Sequence, residues 1–379
     1  DTTSNTCTIT LPASASNGDT IMFADYDRTW GTNEIIIDSN GLNYQSDDDE
    51  YDVEYDTDGT ALSITYSDAT TGWIPTLDKA VADVPVLIVT NENGIFGFGE
   101  TGSKVSMTNL VNSSGVVATD VTGVGTARVY PAACEYGGDK AIFAYGNAAS
   151  ISSLSNLVNS SGVVATDVTG VGSARFHLAG SDYGGDKGIF VYGENLDVTY
   201  FNASNLVSNV GVVATDTTGV GTARGYAISC EYSGSKAKSI AIYGYTAGAG
   251  NISASNLISN TGVVATDTAG VGSARRSFYG CSYGSDKGII AYGYISTITS
   301  ISNLISNVGV VATDTSGVGS ARYGTAATQY GTDKGIFAYG NLDGANTAIS
   351  NLVSNTGVVA TDTSGVGSAR VGTAACSYN

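Results

Sequence analysis

Basic residues are scarce in this sequence of 379 residues, which has 16 Lys and Arg against 35 Asp and Glu and a formal charge of −19 at pH 7. Nucleic-acid-binding proteins rely on Lys and Arg to neutralise phosphates. The charge balance therefore argues against a nucleic-acid partner, and for the same reason against an anionic membrane surface.

Long apolar runs are also missing. No run approaches the roughly 20 residues that a membrane-spanning helix needs. The first residues, DTTSNTCTITLP, lack the basic and apolar regions of a secretion signal. We therefore expect no membrane insertion.

Cysteine and histidine are too few and too widely spaced for a metal-binding motif. The five cysteines form no CxxC pair, and His177 is the single histidine. Four of the cysteines each follow a repeated arginine by six residues, and equivalent positions of different repeats do not generally approach within the roughly 7 Å that a disulfide requires. We expect neither a metal nor another cofactor, and we predict buried core positions for Cys134, Cys230, Cys281 and Cys376.

Glycine and tyrosine are abundant, at 50 and 23 residues, and one 21-residue stretch recurs six times. The first copy is TNLVNSSGVVATDVTGVGTAR at 108–128, and the others begin at 155, 204, 255, 302 and 350. Short alternating segments between turn residues predict an all-β protein. A period of nearly 50 residues suits the blades of a propeller or the coils of a solenoid.

Counting segments separates these two architectures. Each repeat holds four strand-like segments, seen in the last full repeat as YGTAATQY, GIFAYG, AISNLVS and VVATD. The region opens with a segment of the second type, GIFGFG, and the chain stops after one of the first type, so we predict that the C-terminal CSYN pairs with residues 91–99. The prediction is a six-bladed β-propeller over 91–379, closed by its N- and C-terminal strands. A seventh incomplete blade or an open array is the alternative, and VPVLIVT at 84–90 competes for the first-strand position.

The repeat unit resembles a kelch motif. An arginine opens the innermost strand, a turn follows, and the second strand ends at glycine, as in Arg322 to Gly340. The resemblance implies a kelch-like propeller.

Polar letters of the repeat are predicted to have structural roles. Asp120 and Arg128 of the first copy, and their equivalents, are expected to pair across the crossover between blades; a ring of anion-binding arginines is the alternative. Four turns read GGDK, GGDK, GSDK and GTDK. The corresponding stretch YSGSKAKS at 232–239 is two residues longer, and we interpret it as an exposed loop.

Variable letters follow the second strand and the arginine of each repeat, and strand parity places both on one face. Varied loops on a constant frame indicate a binding surface, while drift in unconstrained loops is the alternative. Aromatic and polar groups of this kind contact sugars and proteins. The candidate ligand-binding residues are Tyr130, Phe176, His177, Tyr200, Phe201, Tyr226, Tyr245, Arg276, Phe278, Tyr294 and Tyr323.

Residues 1–76 contain no copy of the repeat and are predicted to form a small β domain, joined to the propeller by a linker at 77–90. The strand-like segments are TCTITLP, DTIMFAD, NEIIIDS and ALSITYS, and Trp30 and Trp73 are core or subunit-contact groups. The acidic run DDDEYDVEYDTDG at 47–59 is interpreted as a solvated loop, with a cation site around Asp56 and Asp58 as the alternative.

This N-terminal segment resembles a small β domain of tailed-phage tail fibres and related virion proteins. The shared features are a TLP segment, GD, a W-x-x-N step, an NG turn and a closing GW, found here between DTTSNTCTITLP and ITYSDATTGW. The resemblance implies a virion protein outside the cell, assembly as a homotrimer, and other virion proteins as partners.

The predicted function is that of a tail fibre or appendage whose propeller face binds a host glycan or protein, without enzymatic activity. One alternative is a capsid decoration or filament protein with no receptor. Another is a glycan-active propeller enzyme, for which the variable face offers the carboxylates Glu100, Glu194 and Asp197.

Overall fold

The computed structural model describes residues 2–47, 51–78, 86–87 and 92–379. The chain divides into two compact units, Asp1–Ile88 (unit 1) and Val89–Asn379 (unit 2). Apart from a 3₁₀ turn at Gly234–Lys236, the regular secondary structure of the described residues is β. This part of the chain holds no helix of the length and hydropathy needed to cross a membrane. Most of the predicted linker, 77–90, lies outside the described residues.

Unit 1 consists of two small sheets, and each of its four predicted strand segments contains a strand. One sheet has the order β1 (Cys7–Thr10), β3 (Ile35–Asp38), β4 (Tyr51–Tyr55) and β7 (Val86–Leu87), with β1 and β3 parallel. The other has the order β2 (Thr20–Ala24), β5 (Ala61–Tyr66) and β6 (Trp73–Asp78). Of the competing segment VPVLIVT, Val86–Leu87 pairs with β4.

The core of unit 1 contains both tryptophans. Trp30 and Trp73 are 4% and 1% exposed, and Trp73 packs edge-on against Tyr66 with ring centroids 5.5 Å apart. Alternate residues of β5 are buried, as expected for a strand with one face on the core. In the acidic run, 48–50 lie outside the described residues, and the Asp58 carboxylate accepts a hydrogen bond from the Gly31 amide at 2.8 Å.

Unit 2 consists of six antiparallel three-stranded sheets, numbered here along the chain. Sheet 1 is β25 (Ala374–Tyr378), β8 (Asn93–Glu100) and β9 (Lys104–Val111); sheet 2 is β10 (Ala132–Tyr136), β11 (Lys140–Ala144) and β12 (Ser155–Val158); sheet 3 is β13 (Ala179–Tyr183), β14 (Lys187–Val191) and β15 (Ser204–Val207). Sheet 4 is β16 (Ile228–Tyr232), β17 (Lys238–Thr246) and β18 (Gly250–Ile258); sheet 5 is β19 (Tyr279–Tyr283), β20 (Lys287–Ala291) and β21 (Ser302–Ile305); sheet 6 is β22 (Ala326–Tyr330), β23 (Lys334–Asn341) and β24 (Asn346–Val353).

The prediction of four regular strands per repeat is wrong, because the VVATD segment forms only isolated bridges to the third strand. In sheet 2 these bridges join Val158 to Val164 and Ser155 to Val168. Between them, the Asn156 side chain donates to the Ala165 carbonyl at 3.0 Å and to the Asp167 carboxylate at 2.9 Å. A side chain thus takes hydrogen bonds that a strand ladder would otherwise supply.

The predicted pairing of the C-terminus with residues 91–99 is confirmed. β25 runs antiparallel to β8, with Cys376 opposite Ile95 and Tyr378 opposite Asn93. The first strand of each sheet contacts the first strand of the next sheet, in the order β10, β13, β16, β19, β22 and β25. In addition, β25 contacts β10. All four cysteines predicted to be core residues are buried and unpaired.

Turns and crossovers lie where strand parity predicts. The turn after β10 meets a turn of sheet 3 between the third strand and the VVATD segment: a Cβ on Gly137, whose φ is +65°, would lie 2.9 Å from the Asn209 carbonyl oxygen. At the other end, a Cβ on the crossover residue Gly123 would lie 2.2 Å from the hydroxyl of Ser106, near the start of β9 and next to the loop after β8. Crossovers and variable loops therefore share one face, called here the crossover face.

Candidate functional site

Each repeat buries its arginine between two sheets, and this frame supports the crossover face. The Arg175 guanidinium lies over the Tyr145 ring of sheet 2 at 4.5 Å and donates to the Asn205 side-chain oxygen of sheet 3 at 2.5 Å. Its other groups donate to the Tyr192 and Ser173 carbonyls. Six arginines are 0% exposed: Arg128, Arg175, Arg224, Arg275, Arg322 and Arg370. They are therefore not free to bind an external anion.

The predicted pairing of Asp120 with Arg128 inside one copy is wrong, because each arginine faces the aspartate of the next copy. Arg128 lies 3.8 Å from Asp167, and Arg370 lies 3.7 Å from Asp120. The Thr126 hydroxyl and amide also donate to Asp167, so the crossover folds back onto the neighbouring sheet rather than onto its own. Burial lowers the pKa of Arg128 to about 10. Hydrogen bonds from Thr126 and Asn156 outweigh partial burial and lower the pKa of Asp167.

The two variable stretches of a repeat, one after the buried arginine and one after the second strand, are joined by backbone pairing. The residue after the buried arginine pairs with a residue at or just after the end of the second strand, as Phe176 does with Glu194, Arg276 with Tyr294, and Tyr323 with Asn341. The two variable stretches of one repeat, which are separate in sequence, therefore form one surface.

The second residue after each arginine has left-handed backbone geometry, and sequence reasoning missed this constraint. Four of these six residues are not glycine, which is uncommon for positive φ. The values are +54° at Tyr130, +52° at His177, +56° at Tyr226 and +55° at Ser277, with Gly324 and Gly372 completing the set. Backbone bonds link several of them: the amides of Tyr130, Tyr226, Gly324 and Gly372 donate to the carbonyls of Gly372, His177, Ser277 and Gly324.

His177 lies at the centre of the predicted site, and its side chain is buried rather than at the surface. Its ring stacks on Tyr226 with centroids 3.6 Å apart, and its Nδ1 lies 2.6 Å from Glu194 Oε1. Burial lowers the pKa of His177, so the neutral ring donates from Nδ1 to Glu194. The buried Nε2 has no hydrogen-bond partner in the part of the chain described.

Ring contacts extend from His177 in both directions along the crossover face. Tyr130 and Phe176 lie 4.1 and 4.4 Å from the His177 ring. On the other side Tyr226 meets Tyr245 edge-on at 6.5 Å. The series continues through Arg276 and Tyr294 to Tyr323. We call this set the aromatic arc: Phe176, Tyr130, His177, Tyr226, Tyr245, Arg276, Tyr294 and Tyr323.

The three remaining predicted residues lie differently. Tyr200 flanks the arc, 6.3 Å from Tyr245, and burial together with the nearby Glu194 carboxylate raises its pKa to about 12. Phe201 is partly buried, and its backbone bonds to Gly193 and Arg224. Phe278 is 2% exposed and packs against Tyr243, so its side chain belongs to the core beneath the face.

The opposite end of the first strands holds a buried acidic cluster that sequence reasoning missed. Carboxylate oxygens of Glu135, Asp182 and Glu231 lie within 4.8 Å of one another. The ammonium of Lys236, from the stretch 232–239, pairs with Glu135. That stretch is therefore not simply an exposed loop, and its added length and unmatched lysine were the available signals. The cluster is an oxygen-rich cation environment in which Lys236 already supplies one positive charge.

The arc can bind a partly apolar ligand through ring faces, one guanidinium and one buried acceptor nitrogen. These are groups that hold sugars and protein side chains. The chain matches no protein-family model and no curated protein sequence.

Proposed function

We propose that unit 2 is a closed six-bladed, kelch-like β-propeller, and that the protein is a tailed-phage virion component that binds a host-surface glycan or protein through the aromatic arc. Pairing of β25 with β8 and its contact with β10 support closure. The virion assignment rests on the resemblance of residues 1–76 to a tail-fibre domain.

The observation that carries the binding proposal is the convergence of the variable residues. Eight predicted residues from separate repeats form a continuous series of ring contacts around His177. Partial exposure of Tyr226, Tyr245 and Tyr294 leaves ring surface for a ligand. A rigid frame beneath fixes these groups before binding, which reduces the entropy cost of association.

Binding of labelled protein to bacterial cells and to a glycan array tests this proposal. Tyr245→Ala and Tyr226→Ala should each weaken binding about tenfold or more, as expected for aromatic anchor residues. Val358→Ser is the matched control, because Val358 is 64% exposed and lies in the VVATD segment away from the arc. Equal binding by all three variants would reject the arc as the receptor site.

Unit 1 is proposed to attach the protein to other virion proteins and to form a homotrimer. Met22 and Tyr26 are 75% and 93% exposed, so unit 1 presents large apolar groups to solvent. Light scattering of the full chain should give three times the monomer mass, and Met22→Ser with Tyr26→Ser should shift it toward the monomer. A monomeric wild-type protein would reject the trimer.

A glycan-active enzyme is the second candidate. Glu194 is the carboxylate nearest the centre of the arc, but it is 5% exposed and engaged by His177. Release of reducing sugar from a bound polysaccharide, abolished by Glu194→Gln, would favour this candidate over simple binding.

A further inference from the structure

We infer that the aromatic arc binds an acidic saccharide whose anionic group pairs with Arg276, an inference that rests on the proposed binding function. Arg276 differs from the six buried arginines, since it is the variable residue directly after Arg275 and its side chain is partly exposed.

Arg276 is held by rings rather than by carboxylates. Its guanidinium carbon lies 4.7 Å from the Tyr245 ring centroid and 5.0 Å from that of Tyr294. None of the ion pairs in the described part of the chain includes it. Arg28 is also outside these ion pairs, so the feature that sets Arg276 apart is its position beside two tyrosine rings of the arc.

A guanidinium beside two aromatic rings suits an anionic group carried by a sugar ring. Its edge offers parallel N–H donors to a carboxylate or sulfate, and charge-assisted hydrogen bonds of this type are the stronger ones. The neighbouring tyrosines offer faces to the C–H side of a pyranose. A neutral sugar would use the rings but leave the charge unpaired.

His177 provides a second unmet group in the same arc. The residue is 9% exposed, and its buried Nε2 has no partner within the described residues. With Nδ1 donating to Glu194, Nε2 is an acceptor. His177, Tyr130 and Tyr226 line a cavity of about 20 Å³, which has room for one water-sized group such as a hydroxyl. A saccharide hydroxyl can donate to an acceptor of this kind, whereas a sulfate or chloride ion cannot.

Binding of matched oligosaccharides to the full-length protein tests this inference. The probes are hexuronic-acid oligosaccharides, their carboxyl-reduced neutral counterparts, and sulfated oligosaccharides of the same length. Wild-type protein should bind at least one acidic set at least tenfold more tightly than the neutral set. This preference should weaken as salt is raised. The better acidic set identifies the anionic group as carboxylate or sulfate.

Arg276→Gln should abolish the preference for the acidic set over the neutral set, because only the acidic set carries a group that pairs with the guanidinium. Lys238→Gln is the matched control, because it also removes one positive charge, at an exposed position that begins β17. Arg276→Lys should restore only part of the preference, since lysine keeps the charge but lacks the planar fork. Circular dichroism of each variant should match the wild type.

Two results would overturn the inference. If wild-type protein binds acidic and neutral sets equally and Tyr245→Ala weakens both, the arc binds saccharides without charge selection and the proposed function stands alone. If no saccharide set binds but cells still bind in a Tyr245-dependent way, the ligand is not a saccharide of this type. If wild-type protein binds neither the saccharide sets nor bacterial cells, the proposed binding function itself is rejected.

Discussion

At the residue scale, the buried arginines show how a charge becomes part of the scaffold. Taking an ion out of water costs several kcal/mol unless hydrogen bonds and close charges replace the solvent. Arg175 recovers this cost from Asn205, two carbonyls, the Tyr145 ring and Asp216. Asn205 is the least replaceable partner, since it also binds Asp216 and the Ala214 carbonyl.

Asn205→Ala should therefore destabilise unit 2 strongly. It removes three hydrogen bonds at a fully buried position and leaves part of the Arg175 guanidinium unpaired, so we expect a loss of about 2–4 kcal/mol in the free energy of unfolding. Chemical denaturation measures this loss. Asn209→Ala, at an exposed turn position, should change the free energy by less than about 0.5 kcal/mol. Equal effects would contradict the assigned role of Asn205.

His177 can be titrated without ambiguity because the chain has one histidine. NMR should report a pKa below 6.5, the ordinary value for histidine, since burial disfavours the charged ring, with the proton on Nδ1 near neutral pH. Glu194→Gln should lower this pKa further, because Glu194 favours the charged form. The unfolded chain takes up the proton first, so His177 should reduce stability as pH falls below about 6.5. A pKa above 6.5 would contradict this environment.

At the element scale, repetition made most of the fold predictable but concealed the exceptions. The apolar run GIFAYG predicts the position of the second strand, and the C-terminal offset predicts the pairing of β25 with β8. The prediction of a fourth strand was wrong because the Asn156 side chain takes the place of backbone hydrogen bonds that a regular strand would form. The interpretation of 232–239 as an exposed loop missed the pairing of Lys236 with Glu135, because the length and charge of a turn do not reveal which carboxylate a flexible lysine side chain reaches. The arc was predictable as a face, but not His177 as its buried centre.

The turn that carries Lys236 leads to a prediction about pH. Burial and the neighbouring Asp182 raise the pKa of Glu231 to about 8, so the folded state holds a proton that the unfolded chain releases near pH 4.5. The contribution of Glu231 to the free energy of unfolding should therefore fall as the pH rises from about 4.5 to 8, which opposes the effect of His177 below about 6.5. Lys236→Met removes the positive charge beside Glu135 and should cost about 3–5 kcal/mol at pH 8, with a smaller loss at pH 5.

Denaturant unfolding at the two pH values measures both effects. Lys238→Met is the control, because Lys238 is exposed and only two residues away. If the two methionine variants lose the same stability at pH 8, Lys236 does not neutralise the cluster.

At the scale of the whole unit, the pairing of β25 with β8 supports the proposed closure of unit 2. The Glu92 amide donates to the Asn379 carbonyl at 3.0 Å, so the two ends of the described unit 2 are adjacent. Arg370 continues the arginine pattern across this junction by donating to the Phe98 carbonyl and the Asn109 side chain.

Deleting 371–379 should therefore abolish the single cooperative unfolding transition of unit 2. An open repeat array would lose only its terminal contribution, because its stability is roughly a sum over neighbours. A circular permutant that joins Asn379 to Glu92 and opens the exposed loop at Gly344 should unfold in one transition near the wild-type midpoint. Scanning calorimetry measures both variants. One intact transition after the deletion would reject closure.

The same junction also affects folding during synthesis, because β8 is made long before its partner strand β25. Arg370 and Phe98 are 272 residues apart along the chain, and at roughly 5–20 residues per second a ribosome needs on the order of tens of seconds to cover that interval. During this time one edge of β8 has no partner strand, so strands of neighbouring nascent chains can pair with it. Slow translation of the codons for β25, or a premature stop before them, should therefore reduce soluble yield far more than the loss of one short strand suggests.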